Sequence, residues 1–324
     1  MTASAPNIPL PPPPTGASRV AEDSYLWQSF RHHSRTFSLA ARLLPAEVRL
    51  PVATLYLYCR TVDGIADERA LEVGAEAARA EIEATRRALD RTLAGDPPDE
   101  LLWRRLAEVH AEFDLLPEPL YELLAGADWD LSGRGIGTTA DLLAYAGLVA
   151  GSVGAMMLPF LVGDRAEIAA LTPTARALGN AMQITNILRD VGEDLERLGR
   201  VYLPGSLLRT HGLSRDDLAA LGRNGQASES YVALLEAVMA EAERLYNEAE
   251  AGIEALPLRS RIGIAAAARM YREIMNEVRA AHYDNLGRRN YVPLARKLRL
   301  VVDDAYARRR ARLRDRLALP AHAS

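Results

Sequence analysis

Cysteine is almost absent: the 324-residue chain has one, Cys59. An internal disulfide and any zinc site built on cysteines are therefore excluded. That usage fits a reducing compartment, and a cytoplasmic location is the expectation. Surplus charge is lacking too, since 39 Lys and Arg stand against 43 Asp and Glu, a net −4. No basic stripe interleaved with aromatics occurs, so nucleic acid is not an expected partner. Residues 1–19 lack the basic start and apolar core of a signal peptide. They hold the run Pro11-Pro12-Pro13-Pro14 instead, and read as a disordered, locally polyproline-like tail. Alternating β-branched runs are scarce, which argues against strands.

What is abundant is Ala, Leu, Arg and Glu, all strong helix formers. Periodic segments predict helices at about 21–31, 46–68, 72–94, 99–113, 117–130, 138–162, 166–197, 228–254, 260–285 and 293–317. Turn residues such as Gly95-Asp96-Pro97-Pro98 separate them, and no Pro/Gly/Ser linker divides the chain. The expectation is one all-α domain over 20–317, packed around a central space, with a short tail at 318–324. Leu142 to Val162 carries no charge and is long enough to span a bilayer. It also contains Gly147, Gly151, Gly154 and Pro159 and is flanked by Asp141 and Asp164, which favours a helix buried inside a large helical domain.

Two acidic constellations stand out. Asp63 and Asp67 are four apart and share one face of a helix, joined there by Tyr56 and Arg60. Gln183, Asn186, Asp190 and Asp194 follow at steps of three or four, a polar line through otherwise apolar sequence. A single D-x-x-x-D is ordinary on a solvated helix. Two of them, one bracketed by Ile184, Ile187 and Leu188, point instead to helices that line an enclosed cavity. Oxygen ligands without His or Cys select a hard cation, and Mg²⁺ shared with phosphate oxygens fits best. Arg35, Arg60 and Arg189 are candidates to clamp a diphosphate. Cys59 has no evident catalytic partner and reads as a small buried thiol.

The stretch Asn186-Ile187-Leu188-Arg189-Asp190-Val191-Gly192-Glu193-Asp194, followed by Gly199-Arg200-Val201-Tyr202-Leu203-Pro204, closely resembles the signature of the squalene and phytoene synthases. His33 to Ser38, Tyr56 to Asp67 and the Gly-rich block Tyr145 to Gly154 match the same family in order, so the likeness runs from about 25 to 300. It implies the isoprenoid synthase fold and head-to-head condensation of two isoprenoid diphosphates through a cyclopropyl diphosphate. It implies that Asp63, Asp67, Asn186, Asp190 and Asp194 bind Mg²⁺, with Mn²⁺ as a substitute. Ser34, Arg35, Phe37, Arg60, Gln183, Asn186, Arg189, Arg200 and Tyr202 would meet substrate, and Tyr56, Arg60, Tyr145 and Tyr283 would act along the cation path. Two departures stand beside this: Gly64 replaces a second aspartate in the first motif, and Leu198 is an extra residue on which the aim of Arg200 and Tyr202 depends.

Tyr271 to Asn285 and Arg288 to Pro293 are more similar to the members that use two C20 geranylgeranyl diphosphates and need no NADPH. The alternative in the family is a C15 enzyme on farnesyl diphosphate, making squalene, dehydrosqualene, presqualene diphosphate or hydroxysqualene. Outside it stands a non-catalytic helical binding or assembly factor. Arg308 to Arg314 reads as a solvated helix end, with peripheral contact to anionic lipid as the second reading. A downstream desaturase is the protein partner that the resemblance suggests.

Overall fold

Apolar side chains recur along the chain at helical spacing, and the computed structural model shows what they build. It describes residues 13, 14 and 16–300. No β-strand occurs among them. The helices are α1 Arg19–His33, α2 Arg35–Ala41, α3 Ala46–Gly64, α4 Ala70–Val73, α5 Ala75–Leu93, α6 Leu101–Phe113 and α7 Pro117–Leu131. There follow α8 Thr139–Ala146, α9 Ser152–Leu161, α10 Arg165–Glu193, α11 Gly205–Thr210, α12 Arg215–Asn224, α13 Glu229–Ala255 and α14 Leu258–Ala280.

In α5 the buried residues Ala78, Ile82, Thr85, Leu89 and Thr92 form a stripe at steps of three and four. In α10, Ala177, Ala181, Ile184, Leu188 and Val191 do the same. Each fully buried Leu or Ile of such a stripe stabilises the fold by about 1.5–3 kcal/mol. The N-terminus of α10 is capped by the Asp164 carboxylate, and α8 and α12 open with the reciprocal pairs Thr138/Asp141 and Ser214/Asp217.

Two cores result. One gathers α8, α10, α13 and α14; the other gathers α1, α3, α5, α6, α7 and α9. Phe37, Val149 and Ile264 pack against both, and all three line a cavity at the seam.

Three π-helical segments interrupt the ladders: Ile65–Arg69 after α3, Gly147–Gly151 between α8 and α9, and Asp194–Leu198 after α10. A π turn accommodates one extra residue in a helix, and Leu198 ends the third of these segments. Thr139–Leu161 is the one helical stretch among the described residues long and apolar enough to cross a membrane, at mean hydropathy 1.6, with 50% of its most apolar window buried. Much of its remaining surface faces the cavity, through Val149, Ala150, Val153, Gly154 and Met157. It crosses α10 closely: a Cβ on Gly154 would lie 2.1 Å from the Ala175 carbonyl oxygen, and one on Gly179 would lie 2.1 Å from that of Ala150.

Some boundaries differ from the expected ones. The first helix starts at Arg19, capped by Ser18, so ordered structure reaches into the expected tail. The short helices α2, α11 and α12 were not anticipated; each is too brief for periodicity to register. The expected helix 260–285 stops at Ala280, because His282 and Tyr283 turn to positive φ. Residues 294–300 are helical, whereas Pro11, Pro12 and Arg308 to Arg314 lie outside the described residues.

Candidate active site

The 3.6-residue period carries Tyr56, Arg60 and Asp63 along one face of α3, and the π segment behind it presents Asp67. Asp63 lines the cavity, as do Tyr56, Phe37, Gln183 and Asn186. Its carboxyl is pushed up to about 7, first by lost hydration and then by the Asp67 charge. Water entering the mouth still reaches it and screens part of that repulsion.

On the facing helix, α10 ends with Asn186 and Asp190 one turn apart, and the next π segment presents Asp194. Asp194 is pushed up to about 7 by burial, then by Asp190 and, from the opposite motif, by Asp67. The two aspartate pairs thus sense each other across the rim. Arg200 ties them: its N–H donates to the Asp194 carbonyl at 3.0 Å, and its Nη1 donates to Asp67 Oδ1 at 2.6 Å.

Cations already neutralise part of this charge. Arg189 donates to both carboxylate oxygens of Asp190, from Nε at 2.7 Å, and Arg289 Nε reaches the same carboxylate at 2.9 Å. Arg60 is engaged by Glu68. Lys297 donates from Nζ to Thr36 Oγ1 at 2.7 Å. Its pKa is lowered by burial, then by Arg189 and Arg35. Three cations meeting over a hydroxyl form a ready site for a polyanion. Ser34 spends its hydroxyl on the N-terminus of α2, accepting from the Phe37 N–H at 3.2 Å.

Among the described residues no three His, Cys, Asp or Glu side chains converge into a closed metal cage. Mg²⁺ characteristically takes one or two carboxylates and completes its shell with water and phosphate oxygens. The Asn186 Oδ1 atom is buried without a hydrogen-bond partner, between Gln183 and the aspartates. An orphaned hard oxygen beside facing carboxylates fits such a cation.

Behind this rim lies a long apolar chamber, about 1470 Å³ of empty space with its mouth included. Along α10 it extends from Asn186 to Leu171, about 22 Å at the helical rise. Aromatic rings stand at its entrance: Phe37 stacks on Tyr271 with centroids 4.7 Å apart, and Phe30 meets Tyr56 at 4.6 Å. Cys59 lines the wall, and its apolar surroundings, followed by the Asp63 charge, push its thiol upward, so it stays neutral.

Two tyrosines are not where the family likeness put them. The Tyr283 phenol donates to Glu236 Oε1 at 2.7 Å, outside the cavity wall, because positive φ at His282 and Tyr283 turns the chain away. Tyr271, about three turns earlier on α14, stacks on the cavity-lining Phe37; burial pushes it up to about 12 against the opposing pull of Arg189. Tyr145 also turns from the chamber. Its hydroxyl donates to Asp130 Oδ2 at 2.9 Å, and Tyr202 donates to Asp130 Oδ1 at 2.8 Å, the two rings being stacked.

Asp130, Tyr271, Arg289 and Lys297 escaped assignment from sequence. Asp130 belongs to no spaced pair. Lys297 did leave a signal: it is the only lysine in a chain with 39 basic residues, otherwise all arginine.

The order of these elements and motifs can be compared with known proteins. The model of the squalene/phytoene synthase family matches residues 30–296. The chain belongs to that family. A phytoene synthase of Thermus thermophilus is 40% identical over 277 residues, covering 85% of this chain and 90% of its own. One from Rhodobacter capsulatus is 38% identical and covered to 78%. Among solved structures, a dehydrosqualene synthase in complex with ligand aligns at TM-score 0.78 and 32% identity, over 89% of this chain and 96% of its own. A squalene synthase from Alicyclobacillus acidocaldarius shares the fold at TM-score 0.70 and 24% identity, over 81% and 95%. As a squalene/phytoene synthase family member, the chain is a prenyltransferase for isoprenyl diphosphates on the isoprenoid synthase fold, which sets aside a non-catalytic binding factor.

Proposed function

We propose that the chain joins two geranylgeranyl diphosphates head to head to give phytoene and requires Mg²⁺. The observation that carries this reading is the chamber: a long apolar space with two facing aspartate pairs and a cation cluster at one rim. The relatives named phytoene synthase, at 40% and 38% identity, favour the C20 substrate.

Asp63, Asp67, Asn186, Asp190 and Asp194 are the residues that would hold Mg²⁺, which when bound neutralises diphosphate and makes it a competent leaving group. Arg35, Arg189 and Lys297 hold phosphate oxygens, and Arg189 exchanges its carboxylate partner for them. Departure of diphosphate from one substrate leaves an allylic cation. The double bond of the second supplies the electron pair for the new carbon–carbon bond, and loss of a proton closes a cyclopropane. Departure of the second diphosphate gives a cation that rearranges and loses another proton. The rings of Phe37 and Tyr56 line the chamber and stabilise this charge, with Tyr271 stacked on Phe37. The apolar wall keeps water from trapping it.

The second reading is a C15 enzyme, favoured by the dehydrosqualene synthase alignment at TM-score 0.78. Purified protein incubated with Mg²⁺ and either geranylgeranyl or farnesyl diphosphate separates the two by the mass of the lipid formed. A C40 hydrocarbon formed without NADPH and lost on adding EDTA is the expected result. A C30 product, or turnover that survives EDTA, overturns the C20 or the metal assignment respectively.

A further inference from the structure

Leu188 and Gly192 stand one helical turn apart in α10 and bracket Asp190. In a regular helix the Gly192 N–H and the Leu188 carbonyl are each other's partners. Asn285 holds both from outside the helix. Its backbone carbonyl accepts from the Gly192 N–H at 3.1 Å, and its Nδ2 donates to the Leu188 carbonyl at 2.6 Å. Its remaining Oδ1 accepts from the Tyr231 hydroxyl of α13 at 2.8 Å. The residue is 1% exposed, and every polar atom of its side chain is engaged.

The approach is possible only because residue 192 is glycine, where a Cβ would lie 2.1 Å from the Leu286 carbonyl oxygen. The segment reaches this place through His282 and Tyr283 at φ 55° and 59°, conformations strained for L-residues. The bend is held by the Tyr283 N–H on the Val278 carbonyl at 2.9 Å and by Asn290 Nδ2 on the Asp284 carbonyl at 2.8 Å. The same segment delivers Arg289 to the Asp190 carboxylate and, at 3.2 Å, to Glu193. Covering α10 with apolar side chains would need neither the strain nor the glycine. Gripping its backbone on both sides of one aspartate needs both.

We propose that Asn285 is a positioning residue: it fixes the last turns of α10 so that Asp190 and Asp194 face Asp63 and Asp67. The inference rests on the metal-diphosphate reading above and deepens it. Outer groups that orient metal-binding side chains characteristically cost about 10–100-fold in metal affinity when removed.

The test measures Mn²⁺ binding by the full chain in the presence of inorganic pyrophosphate, from the electron paramagnetic resonance signal of free Mn²⁺, with no turnover required. Asn285→Ala is expected to bind Mn²⁺ at least about 10-fold more weakly, with helix content unchanged by circular dichroism. Tyr231→Phe, which removes only the hydrogen bond orienting Asn285, is expected to weaken binding in the same direction and less; it decides alone if the alanine variant does not fold. Tyr246→Phe breaks a comparable buried contact to α10, the 3.1 Å pair with Thr185, away from the aspartates and should bind as the parent does. Parent-like affinity in the Asn285 and Tyr231 variants overturns the proposal, as does equal weakening in all three. Absence of Mn²⁺ binding by the unaltered protein overturns the metal reading itself, and with it this inference.

Discussion

Asp130 shows how one carboxylate outside any recognisable motif can organise a rim. Two tyrosine hydroxyls donate to it, Arg200 stands 3.9 Å away, and it is nearly enclosed. Burial pushes it up to about 6, against the opposing pull of Arg200 and Tyr202. The sign of the linkage follows. Below about 4 the carboxyl is protonated folded or unfolded; between about 4 and 6 the unfolded chain releases the proton while the folded one retains it, so stability falls as pH rises. Above that window the loss is complete and constant. Metal-free protein should therefore show this decline in urea unfolding between pH 4.5 and 6.5, and Asp130→Asn should make it shallower while lowering stability overall. An unchanged slope in the variant would contradict the assignment. Asp63 shares the direction of shift over a window that reaches about 7, and since the Asp130 charge is one of its causes, that substitution lowers it too and adds to the shallower slope.

At the scale of helices, close crossing is what brings the polar line of α10 to the chamber. The Gly154–Ala175 and Ala150–Gly179 contacts are backbone to backbone, so no side chain can rotate away from an added methyl. Gly179→Ala should cost about 1–3 kcal/mol, the usual range for overpacking, read as a lower urea midpoint with unchanged slope. A neutral result would mean that α9 and α10 separate easily. This close packing was partly legible in the sequence: Gly151 and Gly154 face α10 as their spacing suggests, whereas a Cβ on Gly147 would meet nothing within 4 Å. The long helices and both aspartate pairs were legible too, because 3.6-residue periodicity and i,i+4 spacing are local properties. What sequence did not convey came from contacts distant along the chain. Asn285 meets Leu188 across 97 positions, and Lys297 meets Thr36 across 261. Tyr283, which the family likeness set along the cation path, instead bonds Glu236 because His282 and Tyr283 adopt left-handed backbone conformations.

For the molecule as a whole, the chamber exists because two separate cores meet without merging. Their shared border is walled at the deep end by Met157, Leu158, Leu161, Leu171, Ala175 and Ile253, far along α10 from the aspartates. If diphosphates bind at the rim as proposed, their tails would extend toward this end, and its depth would set the chain length that fits. Ala175 contributes only a methyl there, and Ala175→Phe fills the space that the last isoprene unit of a C20 tail would take. One methylene in an apolar pocket is worth about 1–3 kcal/mol of discrimination, so losing room for five carbons should shift the kcat/KM ratio toward farnesyl diphosphate by at least about 10-fold. Competition between the two diphosphates, with products separated by mass, reads that ratio directly. A variant that loses activity on both substrates equally would show instead that the tails run elsewhere. The parent preferring farnesyl diphosphate would mean that the chamber serves shorter chains despite its depth.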